Sequence, residues 1–292
     1  MPFQPDYQVP VERLPYTMLA ASDNAAASSS VGVLMLHGFM GSPYSSRPLA
    51  HFLAERGVTV HCPLLPGHGH WPDKFHKVSH RAWIAEAAEG LETLRQMCRE
   101  IFLMGHSMGN VLAVHLLRAN PDVRGVIMLA PIYDVPDSRL NLIKYIRPLV
   151  PWLYPHKSRR MQGLVRERVL DFDPTFDFDA PDAESFLRQA TRMPTSGLDE
   201  MRKMVQLGQK LWSQVNTPTL ILDGGHDIAV SPGSGATIFQ QIPARDKQHH
   251  HFPQAGHELM RPQDPAHLEV WNLVLTFIQE RVRPHIPSSK PD

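Results

Sequence analysis

The chain has 292 residues, 42% hydrophobic and 20% charged, with 29 Lys/Arg against 29 Asp/Glu and a formal net charge of +0. This is ordinary globular composition, long enough for one large α/β domain with an insertion. The balanced charge argues against nucleic-acid binding and against long-range steering of a charged substrate. The stretch Met1 to Pro15 is polar and Pro-rich, with no apolar core of a signal peptide. No run of about 18 apolar residues marks a membrane span, and a cytoplasmic location is expected. Cys62 and Cys98 close a predicted strand and a predicted helix. They are expected as buried thiols, not as a disulfide or a nucleophile.

In chain order, Ala21 to Ser30 is small and polar and reads as a loop between early strands. Val31 to Leu36 is a buried strand ending at His37-Gly38. Ser46 to Arg56 predicts a helix with Leu49, Phe52 and Leu53 on one face, ended by Gly57. Val58 to Val60 is the next strand. Ser79 to Arg99 predicts a long helix, because Trp83, Ala87, Leu91, Leu94 and Cys98 recur at helical spacing. Ile101 to Met104 and Val126 to Leu129 predict buried strands on either side of a helix from Asn110 to Ala119. Between Pro131 and Val215 the alternation stops. Leu140 to Leu153 (broken by Pro148 and Pro151), Ala183 to Arg192 and Gly197 to Trp212 have helical periodicity, and no strand is evident. Strands resume at Thr219 to Leu222 and His249 to Phe252, with a helix near Gly235 to Gln241 between them. A closing helix runs from Ala266 to Arg283, with Leu268, Trp271, Leu275 and Ile278 inward.

Alternating strands and helices predict an α/β fold, a mostly parallel central sheet with helices on both faces. The core spans 1–130 and 216–292, and 131–215 is an inserted helical cap. Ligands bind beyond the carboxyl ends of such strands. His37, Ser107, Pro131, Asp227 and His257 all follow strand ends.

Gly105-His106-Ser107-Met108-Gly109 fits Gly-x-Ser-x-Gly, a nucleophile elbow between strand and helix, where tight folding needs small residues. A serine hydroxyl needs a base, and the base needs an acid to orient it. Downstream, Asp227 follows one strand and His257 follows the last. Asp223 and Asp134 compete as acids; His226, His249, His250 and His251 compete as bases. The three consecutive histidines sit in a predicted strand, so their side chains alternate between faces and do not converge as metal ligands. The oxyanion hole needs two backbone N–H groups; Met108, after the nucleophile, and Phe39, in the loop after the first core strand, are the candidates. Trp152, Tyr154, Met161, Phe172, Phe176, Phe178, Phe186, Met193, Met201 and Met204 read mainly as cap core, with some available to wall an acyl pocket. The basic run His156 to Arg160 reads as solvated surface, with an anionic substrate or a membrane surface as the alternative partner.

Together, His37-Gly38-Phe39-Met40-Gly41-Ser42-Pro43, Leu65-Pro66-Gly67-His68-Gly69, the elbow, Asp227 and Gly256-His257 resemble bacterial carboxylesterases and monoacylglycerol lipases of the α/β-hydrolase superfamily. The resemblance spans about residues 30–282. It implies Ser107 as nucleophile, Asp227 as acid, His257 as base, and Phe39 and Met108 as oxyanion donors. It implies a small apolar ester substrate, a short- or medium-chain acyl ester or a monoacylglycerol, with no cofactor and no metal. Asn110 stands where a second glycine is common and is expected to crowd helix against strand slightly. The 131–215 stretch looks longer than the compact cap of small bacterial esterases. Rival readings are a same-fold hydrolase of a C–C, amide or thioester bond, and a non-catalytic ligand-binding protein.

Overall fold

The computed structural model describes residues 2–21, 31–135, 137–159, 162–173 and 175–282. The expected loop after Ala21, Arg160 and Met161 of the cap, and Arg283 at the end of the closing helix lie outside the described residues.

The chain enters through the short strand β1 (Tyr16–Met18) and continues as β2 (Val31–Leu36), α1 (Arg47–Ala54), β3 (Thr59–Cys62), α2 (His80–Arg95), β4 (Glu100–His106), α3 (Gly109–Leu117) and β5 (Gly125–Leu129). It then leaves the sheet through α4 (Ile143–Ile146), β6 (Trp152–Leu153), α5 (Gln162–Phe172), α6 (Ala183–Ala190), β7 (Met193–Pro194) and α7 (Thr195–Leu211). It returns as β8 (Thr219–Gly224), α8 (Ser234–Gln241), β9 (Lys247–Phe252) and α9 (His267–Gln279).

Seven strands form one sheet in the order β1-β3-β2-β4-β5-β8-β9. β1 runs antiparallel to β3, and every other pairing is parallel. The central strands are apolar throughout because both faces are covered. Successive residues alternate between two cores. Leu34, Leu36, Val126 and Met128 face the side of α2, α3 and α7. Val33, Met35, Ile127 and Leu129 face the side of α1 and α9. Ser79 caps α2 by accepting the Ala82 N–H at 3.3 Å, which places Trp83, Ala87, Leu91 and Leu94 in the first core. Burying each large side chain there contributes about 1.5–3 kcal/mol.

Three expectations are corrected. In α9 the buried face is Val270, Val274, Phe277 and Ile278, and Leu268 is 59% exposed. The helix starts only at His267, so Leu268 falls in the first turn on the outward side. The helix expected over Leu140 to Leu153 shrinks to a 3-10 turn and the single turn of α4, because Pro148 and Pro151 lack the N–H groups that would continue it. The excursion from the sheet also contains strands: β6 and β7 pair antiparallel, Trp152 with Pro194 and Leu153 with Met193. Thr195 reinforces this join, its N–H donating to the Pro151 carbonyl at 3.0 Å and its hydroxyl to the Val150 carbonyl at 2.8 Å. Two-residue strands are too short to leave a periodic trace.

Both cysteines are buried thiols outside any disulfide among the described residues, and burial pushes the Cys62 thiol up to about 12. Among the described residues no helix is long and apolar enough to cross a membrane.

Candidate active site

Ser107 directly follows β4 with φ +53°, in the left-handed region that a non-glycine residue rarely occupies. Such a conformation stores about 1–3 kcal/mol and persists only where the surroundings hold it. Here the Ser107 N–H donates to the Leu129 carbonyl at 3.0 Å. The Ser107 carbonyl accepts the Asn110 N–H at 3.2 Å and the Asn110 side-chain amide at 3.0 Å. The same amide reaches the Leu129 carbonyl at 2.8 Å. Asn110 therefore does not crowd the turn; fully buried, it ties the elbow to the neighbouring strand. The glycines are obligatory at this spacing. A Cβ on Gly105 would lie 2.4 Å from the Asn110 nitrogen, and one on Gly109 would lie 1.9 Å from the Leu36 carbonyl oxygen.

Gly109 thus allows the start of α3 to rest on the end of β2, from which the loop His37 to Gly41 departs. A turn closes this loop, Gly41 N–H to the Gly38 carbonyl at 3.0 Å, with Met40 at φ +62°. His37 is buried, and its Nε2 accepts the Leu65 N–H at 3.1 Å. Its proton therefore sits on Nδ1, which donates to the Gly38 carbonyl at 3.1 Å. With that carbonyl held twice, the trans peptide turns the Phe39 N–H to the opposite side. The Phe39 ring stacks on Phe75 at 4.7 Å, beside Trp83 and His68. Neither the Phe39 nor the Met108 N–H donates to an acceptor among the described residues.

Asp227 and His257 come together: His257 Nδ1 lies 2.7 Å from Asp227 Oδ2. Asp227 Oδ1 accepts the Ala229 N–H at 2.8 Å and the Val230 N–H at 3.2 Å. Burial opposes ionisation of this carboxyl, but the hydrogen bond and charge of His257 and the two N–H groups outweigh it and hold its pKa below 3.8. The two loops lie backbone on backbone. A Cβ on Gly224 would fall 2.3 Å from the Ala255 carbonyl oxygen, and one on Gly225 would fall 2.5 Å from that of Pro253. Asp264 steadies the base loop by accepting the Gly256 N–H at 2.8 Å. His106 joins base to elbow: its Nε2 is 2.9 Å from the His257 carbonyl oxygen.

The competing residues lie elsewhere. Asp223 takes His249 Nε2 at 2.9 Å and His251 Nδ1 at 2.5 Å. Asp134 accepts its neighbour Val135 N–H. The His226 side chain is exposed. Among the described residues no group of three or more His, Cys, Asp or Glu side chains is arranged to hold a metal. A polar cavity of about 400 Å³ between the exit of β5 and α7 is walled by Asp134, Lys144, Arg202 and Gln209, among others, and not by Ser107, Asp227 or His257. His37, Asp264 and the Gly224-Gly225 pair support the site without having been singled out for these roles. His37 left a signal as the first residue of the His37 to Pro43 motif, and the glycine pair as a doubled small residue at the end of a strand.

Residues 28–264 match the Hydrolase_4 family, described as serine aminopeptidase, S33. The chain is 30% identical over 223 residues to a thermostable monoacylglycerol lipase of Bacillus sp. (strain H-257), covering 76% of this chain and 81% of that one. It is 24% identical over 248 residues to a carboxylesterase of Bacillus subtilis (strain 168), covering 83% and 91%. In structure it is similar to a monoacylglycerol lipase of Paleococcus ferrophilus, with TM-score 0.67, 19% identity and coverage of 92% and 98%. The chain belongs to the Hydrolase_4 family and has the α/β-hydrolase fold.

Proposed function

From that membership, we propose that the chain is a serine hydrolase of carboxylic esters, acting on short- or medium-chain acyl esters or monoacylglycerols. Ser107 is the nucleophile, His257 the base and Asp227 the acid that orients it. The observation that carries this reading is the 2.7 Å bond between Asp227 and His257, on a loop that His106 ties to the strained Ser107 turn. The relatives named above support the ester as the bond attacked. We further assign 131–215 as the cap and 1–130 with 216–292 as the core. The departure of the chain from the sheet after β5 and its return at β8 support that division.

In the forward step the Ser107 oxygen attacks the ester carbonyl carbon while His257 Nε2 takes the hydroxyl proton. Asp227 stabilises the imidazolium through Nδ1 without itself taking the proton. The Phe39 and Met108 N–H groups receive the developing oxyanion, each such donor supplying about 2.7–4 kcal/mol of transition-state stabilisation. The alcohol departs with the proton returned by His257, leaving an acyl-serine. Water then attacks the acyl carbon, again deprotonated by His257, and collapse restores Ser107 and releases the acid.

Hydrolysis of p-nitrophenyl esters of graded length and of monoacylglycerols, with amide and thioester analogues alongside, tests the reading. Ser107→Ala is expected to lower kcat by about 10⁶ and to abolish fluorophosphonate labelling. Undiminished turnover by that variant refutes the nucleophile; faster cleavage of the amides or thioesters refutes the bond.

A further inference from the structure

We propose that His106, the residue before the nucleophile, is a positioning residue for the base: its Nε2–H holds the His257 carbonyl, so that one buried imidazole sets the base loop relative to Ser107. This rests on the assignment of Ser107 and His257 above. His106 is 4% exposed. Its Nε2 lies 2.9 Å from the His257 carbonyl oxygen, which can only accept, so the proton sits on Nε2. The two rings are 4.7 Å apart between centroids. On the other side, a Cβ on Gly38 would stand 3.4 Å from His106 Nδ1 and 3.0 Å from the Ser107 Cβ. His106 thus bonds the base loop while covalently joined to the nucleophile, and it lies beside the oxyanion loop.

The geometry explains what the other contacts leave open. Asp227 fixes the His257 ring at Nδ1, and Asp264 fixes the peptide before it at the Gly256 N–H. Neither holds the His257 backbone against the elbow. The bond from His106 supplies that third point. Burial first, with the nearby His257, disfavours the charged form of His106, though Glu258 and Asp227 act the other way. The ring is therefore a neutral donor, and no second cation opposes proton uptake by His257. An error of 1 Å in the placement of a reacting group costs about 10²-fold in rate.

The test compares His106→Leu and His106→Asn, which lack a donor of sufficient reach, with His106→Gln, whose amide nitrogen occupies roughly the place of Nε2. Each is measured for kcat and KM on p-nitrophenyl butyrate across pH, for fluorophosphonate labelling rate and for Tm. We expect His106→Leu and His106→Asn to lose about 10- to 100-fold in kcat and in labelling rate, with KM within about threefold of the parent. Their acid limb is expected to move to lower pH, because a loosened His257 keeps a poorer bond to the Asp227 carboxylate that stabilises its charged form. His106→Gln is expected to recover kcat to within about fivefold and to restore the acid limb. The proposal is overturned if the donor-less variants keep kcat within about threefold of the parent, if the loss lies in KM alone, or if His106→Gln is as slow as they are at equal Tm. If His106→Leu does not fold, His106→Asn and His106→Gln decide. Ser107→Ala in the same assay separates the two claims: its continued activity refutes the nucleophile, whereas a failure of His106 alone leaves the nucleophile standing.

Discussion

Gly109→Ala is the sharpest perturbation of the elbow that leaves every reacting side chain in place. Its Cβ would stand 1.9 Å from the Leu36 carbonyl oxygen and 3.0 Å from that of His37. Real Cβ atoms do not approach closer than 3.0 Å, so the start of α3 and the end of β2 must separate by at least about 1.1 Å. Both are backbone, one at the end of a central strand and the other in the first turn of a helix, and no flexible side chain can yield instead. Leu36 lies three residues before Phe39, and Gly109 follows Met108. The separation therefore pulls the two proposed oxyanion donors apart by about 1 Å. Losing one such donor costs about 10²–10³ in kcat. We expect a kcat loss in that range on p-nitrophenyl butyrate, KM changed less than about fivefold, and a stability loss of about 1–3 kcal/mol from the overpacked contact. A chain of this length has an unfolding entropy near 0.6 kcal/mol/K, so Tm should fall by about 2–5 °C. A Gly109→Ala protein with kcat within threefold of the parent would refute the claim that this contact sets the spacing of the two N–H groups.

Asp227→Asn should lower kcat by about 10⁴ with little change in Tm, measured by turnover and thermal melts. Asp227 is held ionised by His257 and two backbone N–H groups, so in Asp227→Asn the imidazolium loses its carboxylate and the acid limb of the residual activity should move to lower pH. Asn110→Ala should destabilise by about 1–2 kcal/mol, roughly 2–3 °C in Tm, because two buried hydrogen bonds to the Ser107 and Leu129 carbonyls are lost. An unchanged Tm would return Asn110 to the status of a tolerated departure. Glu200 has its pKa lowered to about 2: burial opposes this, but the His80 N–H, Lys203 and the His80 ring outweigh it. A folded pKa below the unfolded 4.5 means stability present above pH 4.5 and lost as pH falls toward 2. After discounting for solvent screening around Lys203, Glu200→Gln should cost about 1–2 kcal/mol at neutral pH and flatten the acid side of the stability curve, read by urea melts.

The strands of this fold were legible because parallel strands covered on both faces are apolar throughout, as Val31 to Leu36 and Val126 to Leu129 are. The candidate acid and base were legible as positions, each a residue just past a strand. Asp227 was also the acid expected over Asp223, but what brings it to His257 was not legible. The difference is three residues of loop, decided by the glycines that lay one loop on the other. The volume of Asn110 alone predicts crowding; its value lies in two carbonyls, that of Ser107 three residues back and that of Leu129, which comes within reach only when β5 is in place. Leu268 was misread because periodicity gives the face of a helix only once its first turn is located. β6 and β7 escaped because a two-residue strand is defined by its partner, forty residues away, and not by its own pattern.

That small ladder divides the excursion unevenly. Residues 151–153 and 193–195 are stitched together, so 154–192 leaves and returns at nearly one point, while α7 stays packed on α2 and α3. A segment whose ends are already clasped can change length at little thermodynamic cost, since doubling a closed loop adds only about 0.6 kcal/mol. The stitch therefore acts as a splice site. An exchange between Leu153 and Met193 leaves the sheet that carries Ser107 uncut, provided the new segment also covers Trp71, on which Phe172 and Phe186 pack, and pairs with Asp73, which Arg192 holds at 3.2 Å.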